Sequence, residues 1–275
     1  MANKIGTVGI IGLGRMGRCM VKGLIQAGTL KNTEIFFTTK HPETAAVVAK
    51  ELSVKACKNN LELIEKSEII VVAVKPQNCA EVLEEIGGKI TKGKTVVSIV
   101  ASISTEQIEG KLPKGVAVIR AMPNTPAFVG AGMTAWCAGV SAFEKDWSRA
   151  MALFEPLGKV ARVDEKHMNA VTGLSGCGPA YIYVVLESLT DAGIKIGLPR
   201  ELATLLAGQT VLGAASMLLA TGRHPAALKD EVTTPAGCTI DGLLELEEGR
   251  LRVTLIKAVV QATKRAKALA KQVKV

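Results

Sequence analysis

Thr7-Val8-Gly9-Ile10-Ile11-Gly12-Leu13-Gly14-Arg15-Met16-Gly17 is the stretch on which the fold turns. Its opening residues are the short, mostly β-branched run that makes a buried strand, and Gly12 ends it. Glycines then stand at 12, 14 and 17, leading into a helix-like segment. In a strand–turn–helix unit that holds a dinucleotide, the first glycine permits a tight turn, the second a close approach to the pyrophosphate, and the third close packing of the helix. The pyrophosphate would rest on the N–H groups at the helix N-terminus. Glycine-rich turns are common, but one placed directly after a first strand and ahead of a second is the Rossmann fingerprint. Ile11, Gly12, Leu13, Gly14, Arg15, Met16 and Gly17 are therefore expected to line a cofactor.

Outward from this unit the pattern repeats. Strands are expected over Thr7–Ile11, Ile35–Thr39, Val54–Cys57, Ile69–Val74, Thr95–Ile99, Val116–Ala121, Met133–Cys137 and Val160–Val163, with helix-like segments between them. That alternation predicts a parallel sheet covered by helices. The wholly apolar run Ile69–Val74 predicts a strand buried on both faces. Beyond Val163 the strand signal stops. Helices are expected over Pro179–Ala192, from Pro199 to Ala220 with Gly222 as the stop, from Pro225, over Thr239–Glu248 and over Leu251–Lys271. The fold class is α/β: an N-terminal Rossmann dinucleotide-binding domain over 1–164, then an all-helical domain over 165–275. The later helices carry Ala, Leu, Val and Gly on more than one face, and a small domain cannot bury such helices alone. A homodimer interface is the expectation.

Composition narrows the class. With 48% hydrophobic and 21% charged residues in 275, the chain suits one large or two modest globular domains. It is neither disordered nor fibrous. Ala203–Ala220 is mostly apolar, but Thr204, Gln209, Thr210 and Ser216 interrupt it, which favours a buried interface helix over a membrane span. Met1-Ala2-Asn3-Lys4-Ile5 runs straight into the first strand and leaves no room for a signal peptide, so a cytoplasmic enzyme is expected. Cysteines at 19, 57, 79, 137, 177 and 238 form no CxxC pair, and histidines at 41, 167 and 224 share no ligand spacing. Neither a disulfide framework nor a metal is expected. The net charge of +9 lies largely in the last helix, at Lys257, Lys264, Arg265, Lys267, Lys271 and Lys274. With only 3% aromatics there is little to stack bases, so that charge reads as a solvated face and not a nucleic-acid surface. A positive field also helps capture an anionic cofactor and substrate.

At the second strand's end stand Thr38-Thr39-Lys40-His41, with no carboxylate. A site for NAD places an acidic residue there to hold the ribose 2′-hydroxyl, whereas hydroxyls and a lysine suit a 2′-phosphate. NADPH is expected over NADH. Ala73-Val74-Lys75-Pro76 and Ala101-Ser102 follow the fourth and fifth strands, at the sheet edge where open α/β folds bind ligands. Lys75 could serve as a catalytic acid or through its backbone, and the backbone role is favoured. Met122-Pro123-Asn124-Thr125-Pro126 is a stiff loop, either beside the nicotinamide or a plain turn. In the second half, Leu228 to Thr239 leads into a helix. Gly237 there would free successive N–H groups for a carboxylate, or Thr239 would simply cap the helix; the local sequence supports both equally.

These motifs together resemble the pyrroline-5-carboxylate reductases, over essentially the whole chain. The most specific parts are Leu228 to Glu247, Val171 to Tyr181 and Met122 to Pro126. The resemblance implies NADPH-dependent reduction of 1-pyrroline-5-carboxylate to proline, the last step of proline biosynthesis, by hydride transfer to the imine carbon. It implies a helical domain whose dimerisation places the active site at a subunit junction, with rings of dimers in some members. By position, Thr239 matches the threonine near the imine nitrogen, and Gly237 and Cys238 match the backbone that holds the carboxylate. Glu165 matches an acidic residue near the substrate, and Asn60 an asparagine at the adenosine end of the cofactor. The chain departs from the family pattern in three places. Ala236-Gly237 replaces a frequent Gly-Gly, Ser102 replaces a frequent glycine, and Glu231 stands among the substrate residues where some members have an amide. Cys238, beside Thr239, is expected to be a buried, inert thiol rather than a site of oxidative inactivation.

Two rivals are weighed. A β-hydroxyacid dehydrogenase shares the glycine turn and the helical half, but needs a base, usually a lysine on the helix after a glycine-rich loop. The expected helix Pro179–Ala192 has none. A non-catalytic dinucleotide sensor is open to any chain of this fold, but leaves the Leu228–Thr239 stretch idle.

Overall fold

The computed structural model describes residues 5–40 and 42–272. Met1–Lys4, His41 and Lys274, which entered the readings of the leader, the second strand's edge and the terminal basic helix, lie outside the described residues. The strands are β1 (Val8–Ile11), β2 (Ile35–Thr38), β3 (Lys55–Ala56), β4 (Ile69–Val72), β5 (Thr95–Ser98), β6 (Ala117–Met122), β7 (Gly132–Ala138) and β8 (Gly158–Arg162). Each falls at an expected position. They form one sheet in the order β3-β2-β1-β4-β5-β6-β7-β8. Helices α1 (Arg15–Gln26), α2 (Pro42–Leu52), α3 (Asn60–Lys66), α4 (Cys79–Gly87), α5 (Thr105–Glu109) and α6 (Glu144–Met151) accompany the strands.

The sheet carries a core on each face, and the β-branched runs explain both. Alternate side chains of one strand point to opposite faces. Val8, Ile10, Ile35, Phe37, Ile69, Val71, Val97 and Ile119 pack into one cluster, with Met20, Val21 and Leu24 of α1. Ile11, Phe36, Ile70, Val72, Val96 and Val118 pack into the other, with Leu63 of α3 and Leu83 and Ile86 of α4. Ile69 to Val72 are all 0% exposed, so burial on both faces holds for β4, while Ala73 and Val74 leave the strand as half-buried residues. Burial of each such side chain contributes about 2 kcal/mol.

One expectation needs correction: the sheet is not wholly parallel. β6 and β7 pair antiparallel, from Ile119 opposite Ala138 to Met122 opposite Ala135, whereas β7 and β8 are parallel. Residues 123–131 hold only a 3₁₀ turn, Thr125–Val129, closed by Gly130 at φ 71°. A parallel return needs a crossover of about a dozen residues or more, so this connection makes the chain double back.

Past β8 the chain turns helical earlier than expected. After α7 (Met168–Val171), the segment Thr172–Gly176 is a π-helix, so the glycine-rich run is itself helical rather than a loop. A Cβ at Gly176 would meet the flexible end of Met122, 2.7 Å from its Cε. Glu165 fastens the same region. Its carboxylate accepts from Thr105 N at 2.8 Å, from the Thr105 hydroxyl, and from Arg120 at 3.2 Å. Arg120 is 5% exposed on β6, and a buried guanidinium is tolerable only when its charge is met in this way.

By proximity the chain groups into two units: residues up to Cys177 together with those from Gln261 onward, and Gly178–Val260. In the second lie α8 (Gly178–Lys195), α9 (Arg200–Thr221), α10 (Pro225–Glu231), α11 (Cys238–Glu248) and the start of α12 (Leu251–Gln272). Pro199 is the N-cap of α9, and Gly222 ends it at φ 64°. Gly193 of α8 lies so near Ala203 of α9 that a Cβ would meet Ala203 Cβ at 2.8 Å. These helices leave much apolar surface open. Leu205 is 67% exposed, Leu212 59%, Leu219 79% and Leu244 61%, and only Ala203 and Ala207 of α9 are buried. Among the described residues, α9 is also the one helix that by length and composition could cross a membrane.

The β7–β8 seam provides a stability test. Gly158 sits at φ 139°, and a Cβ there would collide with the backbone of Gly132, including its nitrogen at 2.5 Å. Gly158→Ala should lower the unfolding free energy by about 2–4 kcal/mol, from steric overlap and backbone strain together. Urea denaturation should show this as a lower midpoint.

Candidate active site

The carboxyl ends of β2, β1 and β4 lie side by side, and the expected cofactor residues gather there. Gly12 N donates to Thr38 O at 3.1 Å, and Ala73 N to Ile11 O at 2.9 Å. β1 sits between β2 and β4, the place where strand order reverses, and open α/β sheets bind ligands in the crevice such a reversal leaves. The three fingerprint glycines differ in what surrounds them. Gly12 has φ 91°, and a Cβ would come within 2.9 Å of Val74 Cγ1 and 3.0 Å of the Ala73 carbonyl. At Gly17 a Cβ would meet the Gly12 carbonyl at 2.9 Å, the close helix packing expected of the third glycine. At Gly14 it would meet nothing within 4 Å. That opening borders the N-terminus of α1, whose N-cap, Gly14, supplies no side-chain cap and whose first turn has no acidic residue. Its positive end is thus left for an external anion. A pyrophosphate fits both the space and the charge.

At the end of β2, Thr38 is buried and its hydroxyl donates to Asn60 Oδ1 at 2.6 Å. That hydroxyl is therefore engaged with Asn60, and the half-buried Thr39 and exposed Lys40 follow it at the strand's end. Asn60 opens α3, whose start is set by the Asn59 side chain accepting from Glu62 N at 2.9 Å. Lys75 is exposed just past β4 and precedes the 3₁₀ turn Pro76–Asn78. Ala101 is half-buried after β5, and Ser102 next to it donates to the Ala266 carbonyl of α12 at 3.2 Å. Asn124 fixes the proline loop by accepting from Met133 N at 2.8 Å and donating to Ser175 O at 3.2 Å.

In the second unit, Gly237, not Thr239, is the N-cap of α11, so the capping role weighed for Thr239 does not hold. Gly237 has an ordinary extended φ of −82°, and its own N–H donates to the Thr234 carbonyl at 3.1 Å. A side chain there would collide with Thr234, which is why glycine is required. First-turn N–H groups lack intrahelical partners, and those of Cys238 and Thr239 come directly after Gly237. The left-handed residue is Ala236, at φ 54°. Glu231 pairs with Arg223 at 2.5 Å, and this hydrogen bond holds its carboxyl below the usual range, so Glu231 acts there as an anion and not a donor. Cys238 is exposed, contrary to the buried thiol expected. Cys79 and Cys137 are the inert ones, with burial pushing them up to about 11 and about 12. Helix α8 runs on to Lys195, beyond the expected Ala192. That lysine lies in its last turn, roughly 25 Å along the axis from the glycine-rich run, too far to serve as a base beside it. Among the described residues no group of three or more His, Cys, Asp or Glu is gathered for a metal.

Comparison with known proteins places this architecture. Residues 165–269 match the family described as pyrroline-5-carboxylate reductase dimerisation, and residues 7–102 match NADP oxidoreductase, coenzyme F420-dependent. The pyrroline-5-carboxylate reductase of Arabidopsis thaliana is 41% identical over 95% of both chains. The chain belongs to the pyrroline-5-carboxylate reductase family. Solved structures agree. The Plasmodium falciparum reductase with NADP bound is 32% identical, with a TM-score of 0.88 covering 96% of this chain and 98% of that one. The Coxiella burnetii reductase is 35% identical at the same TM-score and coverage.

Two departures from the family pattern acquire a physical meaning here. Ser102 and Ala236, each standing where the reductases often have glycine, both hold positive φ, 68° and 54°. Ser102 offsets its strain with the bond to Ala266; the methyl side chain of Ala236 has no polar atom with which to make one. Ala236→Gly should raise the unfolding free energy by up to about 1 kcal/mol, the relief of a left-handed Cβ less the extra freedom of glycine in the unfolded chain. A thermal melt checks it. At the other end of the site, Gly14→Ala should leave the melting temperature nearly unchanged yet weaken NADPH binding by tenfold or more, about 1.4 kcal/mol or above. Gly17→Ala should lower the melting temperature as well.

Proposed function

We propose that this chain reduces 1-pyrroline-5-carboxylate to L-proline with NADPH, using the carboxyl edge of its sheet to hold the cofactor and the start of α11 to hold the substrate. The family membership makes it an oxidoreductase of proline biosynthesis. The observation that carries the cofactor half is the open, uncapped N-terminus of α1 beside Gly14. Ile11 to Gly17, Thr38, Thr39, Lys40, Asn60, Ala73 to Pro76 and Ala101 form the proposed NADPH site. The absence of a carboxylate among Thr38, Thr39 and Lys40 supports NADPH over NADH.

Bound NADPH supplies the hydride for the imine carbon. What the protein must add is orientation, since a protonated imine is already a strong electrophile and needs no powerful acid. The N–H groups of Cys238 and Thr239, aided by the dipole of α11, receive the substrate carboxylate. Gly237 keeps the approach to them clear of a side chain. The Thr239 hydroxyl steadies the ring nitrogen as it becomes an amine. Glu165, engaged by Thr105 and Arg120, and Glu231, paired with Arg223, act as anions that set the shape and charge of their surroundings.

The division into domains at 164/165 is supported by the end of β8 at Arg162 and by the dimerisation match beginning at residue 165. The apolar surface of α9 and α11 supports a homodimer, with α9 as an interface helix and not a membrane span, and assembly into a ring of dimers is carried as the higher form. Location in the cytoplasm completes the reading. A β-hydroxyacid dehydrogenase lacks its lysine here, and a mere sensor would not need the donors at α11.

The test is loss of nicotinamide absorbance with 1-pyrroline-5-carboxylate, using NADPH and then NADH, alongside a 3-hydroxy acid with NADP. Proline should form, faster with NADPH at equal low concentration. Thr239→Ala should cut kcat by about tenfold, the worth of one strong hydrogen bond, while NADPH affinity stays within about twofold. Unchanged turnover in that variant removes Thr239 from the mechanism.

A further inference from the structure

The side chain of Asn60 is held from two directions. Its Oδ1 accepts from the Thr38 hydroxyl at 2.6 Å, and its Nδ2 donates to Glu85 Oε2 at 2.6 Å. Thr38 ends β2, Asn60 begins α3 and Glu85 lies near the end of α4, so three separate elements meet in one line of hydrogen bonds. An amide can turn over and exchange its oxygen for its nitrogen; what fixes it is the chemistry of its partners. A carboxylate only accepts, so the atom facing Glu85 must be the nitrogen, and the oxygen must then face Thr38. The second N–H of Asn60 has no partner among the described residues.

We propose that Glu85 is a positioning residue for the cofactor: with Thr38 it locks the Asn60 amide so that a hydrogen-bond donor faces the adenosine portion of the dinucleotide. This rests on the reading of the carboxyl edge as the NADPH site. Glu85 itself touches no reacting atom. It acts through Asn60, whose donor would otherwise be present only in the correct half of its amide orientations. The bond between Asn60 and Glu85 is also charge-assisted, which makes it stronger than a neutral pair. A carboxylate also repels a nucleotide that carries a 2′-phosphate, and that gives the proposal a sharp alternative. If Glu85 merely repels the phosphate, removing it should improve NADPH binding and leave NADH alone. If it positions Asn60, removing it should weaken both nucleotides, because both share the adenosine.

The experiment measures direct binding of NADPH and of NADH by nucleotide fluorescence to the full chain and to Glu85→Ala, Glu85→Gln and Thr38→Val. Glu85→Ala and Thr38→Val should each raise Kd for both nucleotides by about three- to tenfold, the range of one hydrogen bond. Glu85→Gln should fall between the parent and Glu85→Ala, since its amide can accept from Asn60 but can also turn over and donate to it. At saturating NADPH the kcat of Glu85→Ala should match that of the parent, which a damaged fold would not allow. Unchanged binding in Glu85→Ala, or tighter NADPH with unchanged NADH, overturns the proposal. Because binding is read without the imine, the expected pattern in a protein inert toward 1-pyrroline-5-carboxylate would keep the relay and sink the proposed function. Flat binding in an active enzyme would sink the relay alone.

Discussion

The contact between the turn after β1 and the loop after β4 governs the cofactor side of this molecule. A peptide at Gly12 passes so close to the Ala73 carbonyl that no side chain could intervene, and it does so with a positive φ. That single approach closes β1 at its carboxyl end and turns the chain into α1, which packs back on one face of the sheet. It leaves the mouth of the crevice bounded by Gly14 on one side and by Ala73 and Val74 on the other. The apolar clusters on the two faces of the sheet make the turn rigid, because β1 and β4 are buried above and below and neither can shift without opening both.

The helical half follows a different economy. Its helices expose leucines that a lone chain has no means of covering, and it carries few buried side chains of its own. Stability there must come largely from association, so concentration enters the folding equilibrium in a way it does not for the sheet. This explains why Ala and Gly are frequent on α9: small residues let apolar helices approach closely.

Much of this was legible in the sequence. The apolar runs of β1, β2, β4 and β5 stand out because a strand buried on both faces needs such residues throughout. The fingerprint glycines are open to a sequence reading because what each does is local, whether a turn, a space or a close packing. The antiparallel return of β7 was not read, since nothing in residues 123–131 announces direction except their small number. Asn124, which ties that loop to Met133 and Ser175, gave no more warning. Nor was Glu85 visible: it lies 25 residues from Asn60 and looks like any exposed glutamate on a helix. Thr239 was weighed as a cap because threonine favours such positions. The structure gives the cap to Gly237, and the strained backbone to Ala236, where substitution of a frequent glycine offers no clue to the conformation retained. Pairing between distant residues is set by the whole fold, and spacing within one segment does not encode it.

The bond from Ser102 to Ala266 joins residues 164 positions apart. On the ribosome, the loop after β5 emerges long before the carbonyl that will receive its hydroxyl. Until Ala266 has been made, Ser102 must hold its left-handed backbone without that bond. The loop therefore gains this bond only after every strand of the sheet has been translated, since β8 ends at Arg162.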